Sequence, residues 1–146
     1  MAARRNRKAA RRPVEVFLSH AHQDVALTKR LAAELRRHNI KCWFSEHHIH
    51  GGQRWQEEIG AALRRCDFFI VLLTRASVRS RWVKHEVAWV NDDRRYDERV
   101  LSILVERCNP STLNFVLKNL QMITHKNVPA TMRAILAPWK VTYRPR

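Results

Sequence analysis

The sequence predicts an α/β fold, a five-stranded parallel sheet with helices on both faces. Three observations carry this expectation. Short apolar runs, rich in β-branched and aromatic residues, alternate with segments whose apolar residues recur every fourth position. One run, Phe68-Phe-Ile-Val-Leu-Leu73, is apolar throughout, as a central strand covered on both sides must be. The length of 146 residues, 45% of them hydrophobic, suits one core and no second of ordinary size.

The elements follow in order. Val14-Glu-Val-Phe-Leu18 is a first strand, broken by Ser19-His-Ala-His-Gln-Asp24. Leu27, Leu31 and Leu35 then mark an amphipathic helix for which Asp24 is a suitable N-cap. Ile40-Lys-Cys-Trp-Phe44 is the second strand, and a polar loop over residues 45–53 contains Gly51 and Gly52. Trp55, Ile59 and Leu63 give the second helix by the same spacing. After the central strand at 68–73, Ser80 can cap a third helix whose inward positions are Val83, Val87 and Val90. A charged turn at 91–98 leads to Val100-Leu-Ser-Ile-Leu-Val105, the fourth strand. Residues 120–123 are a weaker fifth strand, and 129–136 a last helix with Pro129 in its first turn.

Strands alternating with helices imply parallel pairing through right-handed crossovers. The natural architecture is a three-layer, flavodoxin-like sheet in the order 2-1-3-4-5. Such sheets bind ligands beyond the carboxyl ends of their strands, where strand order reverses. That rim is built here from residues 19–23, 45–53 and 74 onward to the third helix.

Charge and composition narrow the classes. The formal net charge is +15, and residues 1–12 hold six cations and no acid. This N-terminal run reads as a basic disordered tail, with the domain expected over 13–146. The tail is either a solvated extension or a weak contact for nucleic acid or anionic surfaces, and its acid-free, Arg-rich composition also has the look of a transit peptide. No apolar run approaches the roughly 20 residues of a membrane span, so a cytoplasmic protein is expected. Cys42, Cys66 and Cys108 form no CxxC pair and read as reduced thiols. Walker and GxGxxG loops are absent, which disfavours an NTPase or a Rossmann dehydrogenase, and Ser19 lies in no GxSxG turn.

Three rim segments resemble one known family. Val16-Phe-Leu-Ser-His-Ala-His-Gln-Asp24 is similar to the opening box of Toll/interleukin receptor (TIR) domains. Phe44-Ser-Glu-His-His-Ile-His-Gly-Gly-Gln-Arg-Trp55 resembles their second box and BB loop, with Ile49, Gly52 and Trp55 at the expected spacing. Leu72-Leu-Thr74, followed by Ser80-Arg-Trp-Val-Lys-His-Glu86, resembles the segment carrying the family's S-x-W-x-x-x-E pattern. The resemblance runs from about Val14 to Leu136. Ser45 stands where the family often has Asp, Gly51 where it often has Pro, and Arg75 where a Ser-Pro pair has its Pro.

The resemblance implies an NAD⁺ glycohydrolase or cyclase in immune or defence signalling, with Glu86 as the catalytic residue. NAD⁺ enters as substrate, and no further cofactor is expected. The chemistry agrees with the residue type. Breaking the C–N glycosidic bond releases a neutral nicotinamide, so no acid is needed to protonate the leaving group. A carboxylate beside the ribose stabilises the oxocarbenium-like transition state. Glu86 follows Val83 by three residues and precedes Val87, so it flanks the buried stripe, and Trp82, one turn earlier, can cover it and raise its pKa. A Glu at such a position otherwise serves as a surface ion-pair partner.

Candidate substrate-binding residues on the rim are Ser19, His20, His22, Trp43, Ser45, His48, Ile49, Thr74, Arg75, Ser80 and Trp82. The two histidines after the first strand are otherwise solvated loop residues, and Trp43 and Trp55 otherwise core. Arg75 and Arg79 can steer a pyrophosphate. His47, His48 and His50 lack a spaced partner set, so no metal is expected. The alternative reading is a non-enzymatic TIR scaffold that acts by self-association through residues 45–54.

Overall fold

A computed structural model describes residues 11–45, 53–114 and 121–146 of the chain. Five strands form one sheet: β1 (Glu15–Ser19), β2 (Lys41–Trp43), β3 (Phe68–Leu73), β4 (Val100–Leu104) and β5 (Gln121–Thr124). Their order is β2-β1-β3-β4-β5, and every pairing is parallel. The expected architecture is therefore present. The principal helices are α1 (Val25–Arg37), α2 (Gln53–Arg65), α3 (Arg81–Asn91) and α4 (Val128–Leu136).

Side-chain alternation along the strands explains the three layers. In β3, Phe68, Ile70 and Leu72 enter one core with Leu31 and Leu35 of α1 and Met132 and Leu136 of α4. Phe69, Val71 and Leu73 enter the other, with Ile59 and Leu63 of α2 and Val83 and Val87 of α3. All six β3 residues are buried, which is why the run needs no polar alternation.

Element ends follow local chemistry. Ser80 Oγ accepts from the backbone N–H of Val83, the expected cap of α3. Asn127 does the same for α4 through the N–H of Ala130, with Pro129 in the first turn. Strand β2 is shorter than the expected run at 40–44 because Ile40 still belongs to the exit of α1. Asn39 has a φ of 64°, and the Ile40 N–H donates back to the carbonyl of Leu35.

Asp24 corrects an expectation. It occupies the N-cap position of α1, yet its side chain caps nothing there. Its carboxylate instead accepts a 2.6 Å hydrogen bond from Thr74 Oγ1. The charged turn at 91–98 also holds more structure than expected. Its Tyr96 is buried, and the phenol reaches the carbonyl of Cys66 at 2.9 Å, locking the turn to the end of α2.

Residues 1–10 of the expected tail lie outside the described residues. Arg12, assigned to that tail, donates to the carbonyls of His38 and Asn39 at 2.7 and 3.2 Å. No helix among the described residues is long and apolar enough to cross a membrane.

Candidate functional site

Phe17 and Val71 belong to the core beneath α3, and Ser19 lies opposite Val71 in the β1–β3 pairing. Strand alternation therefore turns Ser19, at the end of β1, toward α3. On α3, Val83 and Val87 are fully buried and Glu86 lies between them in sequence, close enough to their stripe to be buried as well. The two polar side chains meet: Ser19 Oγ donates to Glu86 Oε1 at 2.6 Å, with exposures of 1% and 4%.

This burial dominates the electrostatics. Removing the carboxylate from water pushes the Glu86 pKa up to about 8, with the Ser19 hydrogen bond opposing the rise. The resting side chain is therefore mostly a neutral acid at pH 7. An approaching cation favours its ionised form.

A groove of about 540 Å³ opens on the same rim, lined by residues that follow Ser19 on the β1 exit and precede Glu86 on α3, while the pair itself stays buried behind it. It is lined by His22, Gln23, Arg75, Arg79, Ser80 and Trp82. A smaller recess of about 250 Å³ is lined by Trp43, Ser45 and Trp55 among others. Trp82 and Trp55 meet edge-to-face with ring centroids 4.2 Å apart, so one aromatic pair stands between the two depressions. The Trp55 indole N–H donates to Ser45 Oγ at 2.6 Å, which holds the recess in shape.

The fold thus gathers four expected residues, His22, Arg75, Ser80 and Trp82, around one groove. Others are placed differently. His20 is buried and packs edge-on against Phe44, whose ring lies against the α1 core rather than the α3 core. Thr74 commits its hydroxyl to Asp24 and to the N–H of Ser77, so it shapes the rim from within. The backbone N–H of Arg75 is held by Glu106 at 2.6 Å, while its side chain stays exposed at the groove. His48 and Ile49 lie outside the described residues, as do His47 and His50.

Two rim residues were not foreseen. Asp24 supplies a second carboxyl group whose pKa is raised by burial, opposed by the Thr74 hydrogen bond, with Glu106 adding repulsion. Ser77 closes a turn by exchanging hydrogen bonds with Thr74. Only the three-residue spacing of Thr74 and Ser77 hinted at that turn.

Chemically, the arrangement offers one buried carboxyl, cations at a groove mouth and an aromatic wall. Such a set suits a ligand carrying phosphates, a flat ring and a centre that becomes positive. Comparison with known proteins agrees at the level of family. The TIR domain profile matches residues 16–136, and the chain belongs to that family. Among curated proteins it is similar to the NAD(+) hydrolase TcpC of Escherichia coli O6:H1, 26% identical over 85 residues. The match takes in 58% of this chain, which spans only 28% of that relative's length.

Solved structures share the fold. The TIR domain of the Toll-related receptor TRR-2 of Hydra magnipapillata aligns with a TM-score of 0.67 at 16% identity, covering 86% of this chain and 97% of that one. The CMP N-glycosidase BcmB of Clostridium botulinum aligns at 0.58 and 16% identity, covering 83% and 97%. The TIR domains of the activated Roq1 resistosome align at 0.55 and 17% identity, covering 85% and 70%.

Proposed function

We propose that this TIR domain cleaves NAD⁺ at its nicotinamide–ribose bond, with Glu86 as the catalytic residue. The observation that carries the reading is the buried Ser19–Glu86 hydrogen bond, on the two elements whose neighbouring residues, among them Ser80 and Trp82, line a groove with Arg75 and Arg79. The similarity to an NAD(+) hydrolase supports the substrate class.

The residues divide the work by chemistry. Arg75 and Arg79 attract the pyrophosphate, and the Trp82 ring offers a face or edge to a flat base. The nicotinamide ring carries a positive charge, so its arrival lowers the Glu86 pKa and the carboxyl releases its proton. In the reaction the C1′–N bond breaks and its electron pair stays on nicotinamide, which leaves neutral. Positive charge then builds on the ribose, and the Glu86 carboxylate stabilises it in a medium that screens little. A water oxygen bonds to C1′ and loses a proton, giving ADP-ribose. An adenine nitrogen attacking the same carbon gives a cyclic product instead.

The experiment is to incubate the purified chain with NAD⁺ and identify products by mass spectrometry. Nicotinamide with a linear or cyclic ADP-ribose product is expected. NAD⁺ left intact at high protein concentration, with crowding agent present, overturns the reading.

One observation favours a second reading. Glu86 is almost wholly covered in the single chain, so substrate must wait for a rearrangement that a second copy can drive. In that reading the chain is a scaffold whose function is self-association through residues 45–54, and it stays silent toward NAD⁺ even when assembled.

A further inference from the structure

A second groove lies on the other face of the sheet from α3 and Glu86. It has a volume of about 700 Å³, within the usual range for small-molecule sites. Helix α1 contributes Lys29, Arg30, Ala33 and Glu34 to its wall, and α4 contributes Val128, Pro129 and Arg133. The C-terminal segment closes it with Tyr143, Pro145 and Arg146.

We propose that this groove binds a nucleoside diphosphate, with the phosphates on Lys29, Arg30 and Arg133 and the base on the apolar wall beside Tyr143. The charge balance points to an anion. Among the described residues Glu34 is the one acid of the wall, and it is already neutralised. It accepts from Arg37 Nε at 2.6 Å and from the Tyr143 phenol at 3.0 Å, with Arg146 3.6 Å away. These partners hold its pKa below the usual carboxylate range, the Arg37 hydrogen bond contributing most. Lys29, Arg30 and Arg133 make no ion pair among the described residues. Their uncompensated charge is felt nearby: His125 is depressed first by burial and then by Arg30.

The geometry points to more than a bare oxyanion. Ala33, Val128, Pro129 and Pro145 form an apolar wall that a phosphate would leave unused. Tyr143 is fixed in place, stacked on His38 with ring centroids 5.3 Å apart. The backbone N–H of Arg144 donates to His38 Nε2 at 2.9 Å, pinning the segment that carries it. The Arg133 guanidinium sits 4.8 Å from the Tyr143 ring centroid, so a cation and an aromatic face are already set together. A ligand whose flat aromatic base is joined through a ribose to two phosphates uses both halves of this wall, the base by its face and the phosphates by their charge. Guanidinium forks suit the phosphates through paired hydrogen bonds.

The test is a titration of the ¹⁵N-labelled full chain with ADP at physiological ionic strength, followed by backbone amide shifts. Saturable shifts are expected at Arg30, Arg133 and Tyr143, with inorganic pyrophosphate binding more weakly. Arg30→Glu and Arg133→Ala, each at an exposed position, are expected to weaken ADP by at least ~10-fold with unchanged melting, the scale of one lost charge-assisted hydrogen bond. Glu86→Gln is expected to leave these shifts in place, which separates this site from the NAD⁺-cleaving reading. The proposal falls if ADP shifts cluster only around His22 and Trp82, if they fail to saturate, or if both groove variants bind ADP as the parent does. Pyrophosphate binding as tightly as ADP also overturns it, since that marks a patch for any polyanion.

Discussion

Ser19 Oγ and Glu86 Oε1 are 2.6 Å apart, although 67 positions separate the two residues along the chain. The bond ties the carboxyl end of β1 to the middle of α3 inside the core. The carboxyl group is buried beneath the carboxyl-end rim of the sheet, where open α/β sheets bind ligands.

Replacing the carboxyl tests its role. Glu86→Gln keeps the side-chain shape and a hydrogen-bonding oxygen, so folding is expected to persist. NAD⁺ cleavage is expected to fall by at least ~100-fold, the usual scale for losing one key electrostatic group. A variant that cleaves NAD⁺ at the parent's rate removes Glu86 from the mechanism.

The same residue makes stability depend on pH. Its folded pKa, about 8, lies above its ordinary value of 4.5, so between these values the folded chain binds more protons than the unfolded one. Stability attributable to Glu86 is therefore full below pH 4.5, declines as pH rises, and levels off above about 8. The limiting slope is about 1.4 kcal/mol per pH unit. Denaturant unfolding of parent and Glu86→Gln across this range should show a gap that changes with pH. A constant gap contradicts the assignment.

Ser19→Ala removes the donor that opposes the rise in the Glu86 pKa. The limb of the pH–rate profile belonging to Glu86 is expected to move upward, and turnover at neutral pH to fall by about tenfold or more, the range for a hydrogen bond to a charged group. A lower rate with an unmoved limb would mean that Ser19 only supports packing.

Because Glu86 is covered in the single chain, the NAD⁺-cleaving rate is expected to rise more than proportionally with protein concentration, so that specific activity climbs. Rates per mole are the quantity to measure, over roughly nanomolar to tens of micromolar, the span of weak interfaces. A flat profile indicates a self-sufficient monomeric site. The charge of +15 opposes association, so added salt is expected to shift the rise to lower concentration.

Truncation separates the tail from the domain. Deleting residues 1–11 is expected to leave the melting temperature nearly unchanged. Extending the deletion through Arg12 removes its bonds to the His38 and Asn39 carbonyls and is expected to cost about 1 kcal/mol. Any nucleic-acid affinity is expected to vanish with the tail and to weaken steeply with salt before that. Salt-insensitive binding by the truncated chain would place that contact in the folded domain.

Much of the architecture was legible because it rests on short-range rules. The apolar run at Phe68, the every-fourth spacing of Leu27, Leu31 and Leu35, and the serine before α3 each act within a turn or two. They marked a buried strand, an amphipathic helix and its cap without knowledge of any partner. Glu86 could be singled out by its place in the Ser80-to-Glu86 pattern, and its flanking of the apolar stripe near Trp82 already suggested a covered carboxyl with a raised pKa, but not that Ser19 would bond it.

What the tertiary structure alone decided involves partners far apart in sequence. Asp24 was a suitable local cap for α1, yet Thr74, 50 residues away, holds its carboxylate. Tyr96 sat in a charged turn and became a buried anchor because the end of α2 offers its hydroxyl a carbonyl. The size of the rise in the Glu86 pKa, and the Ser19 hydrogen bond that opposes it, depend on β1 and α3 closing water out together. Periodicity and capping act along the chain, so a sequence carries them openly. Desolvation and side-chain pairing arise only when parallel strands and their crossovers bring distant segments into contact.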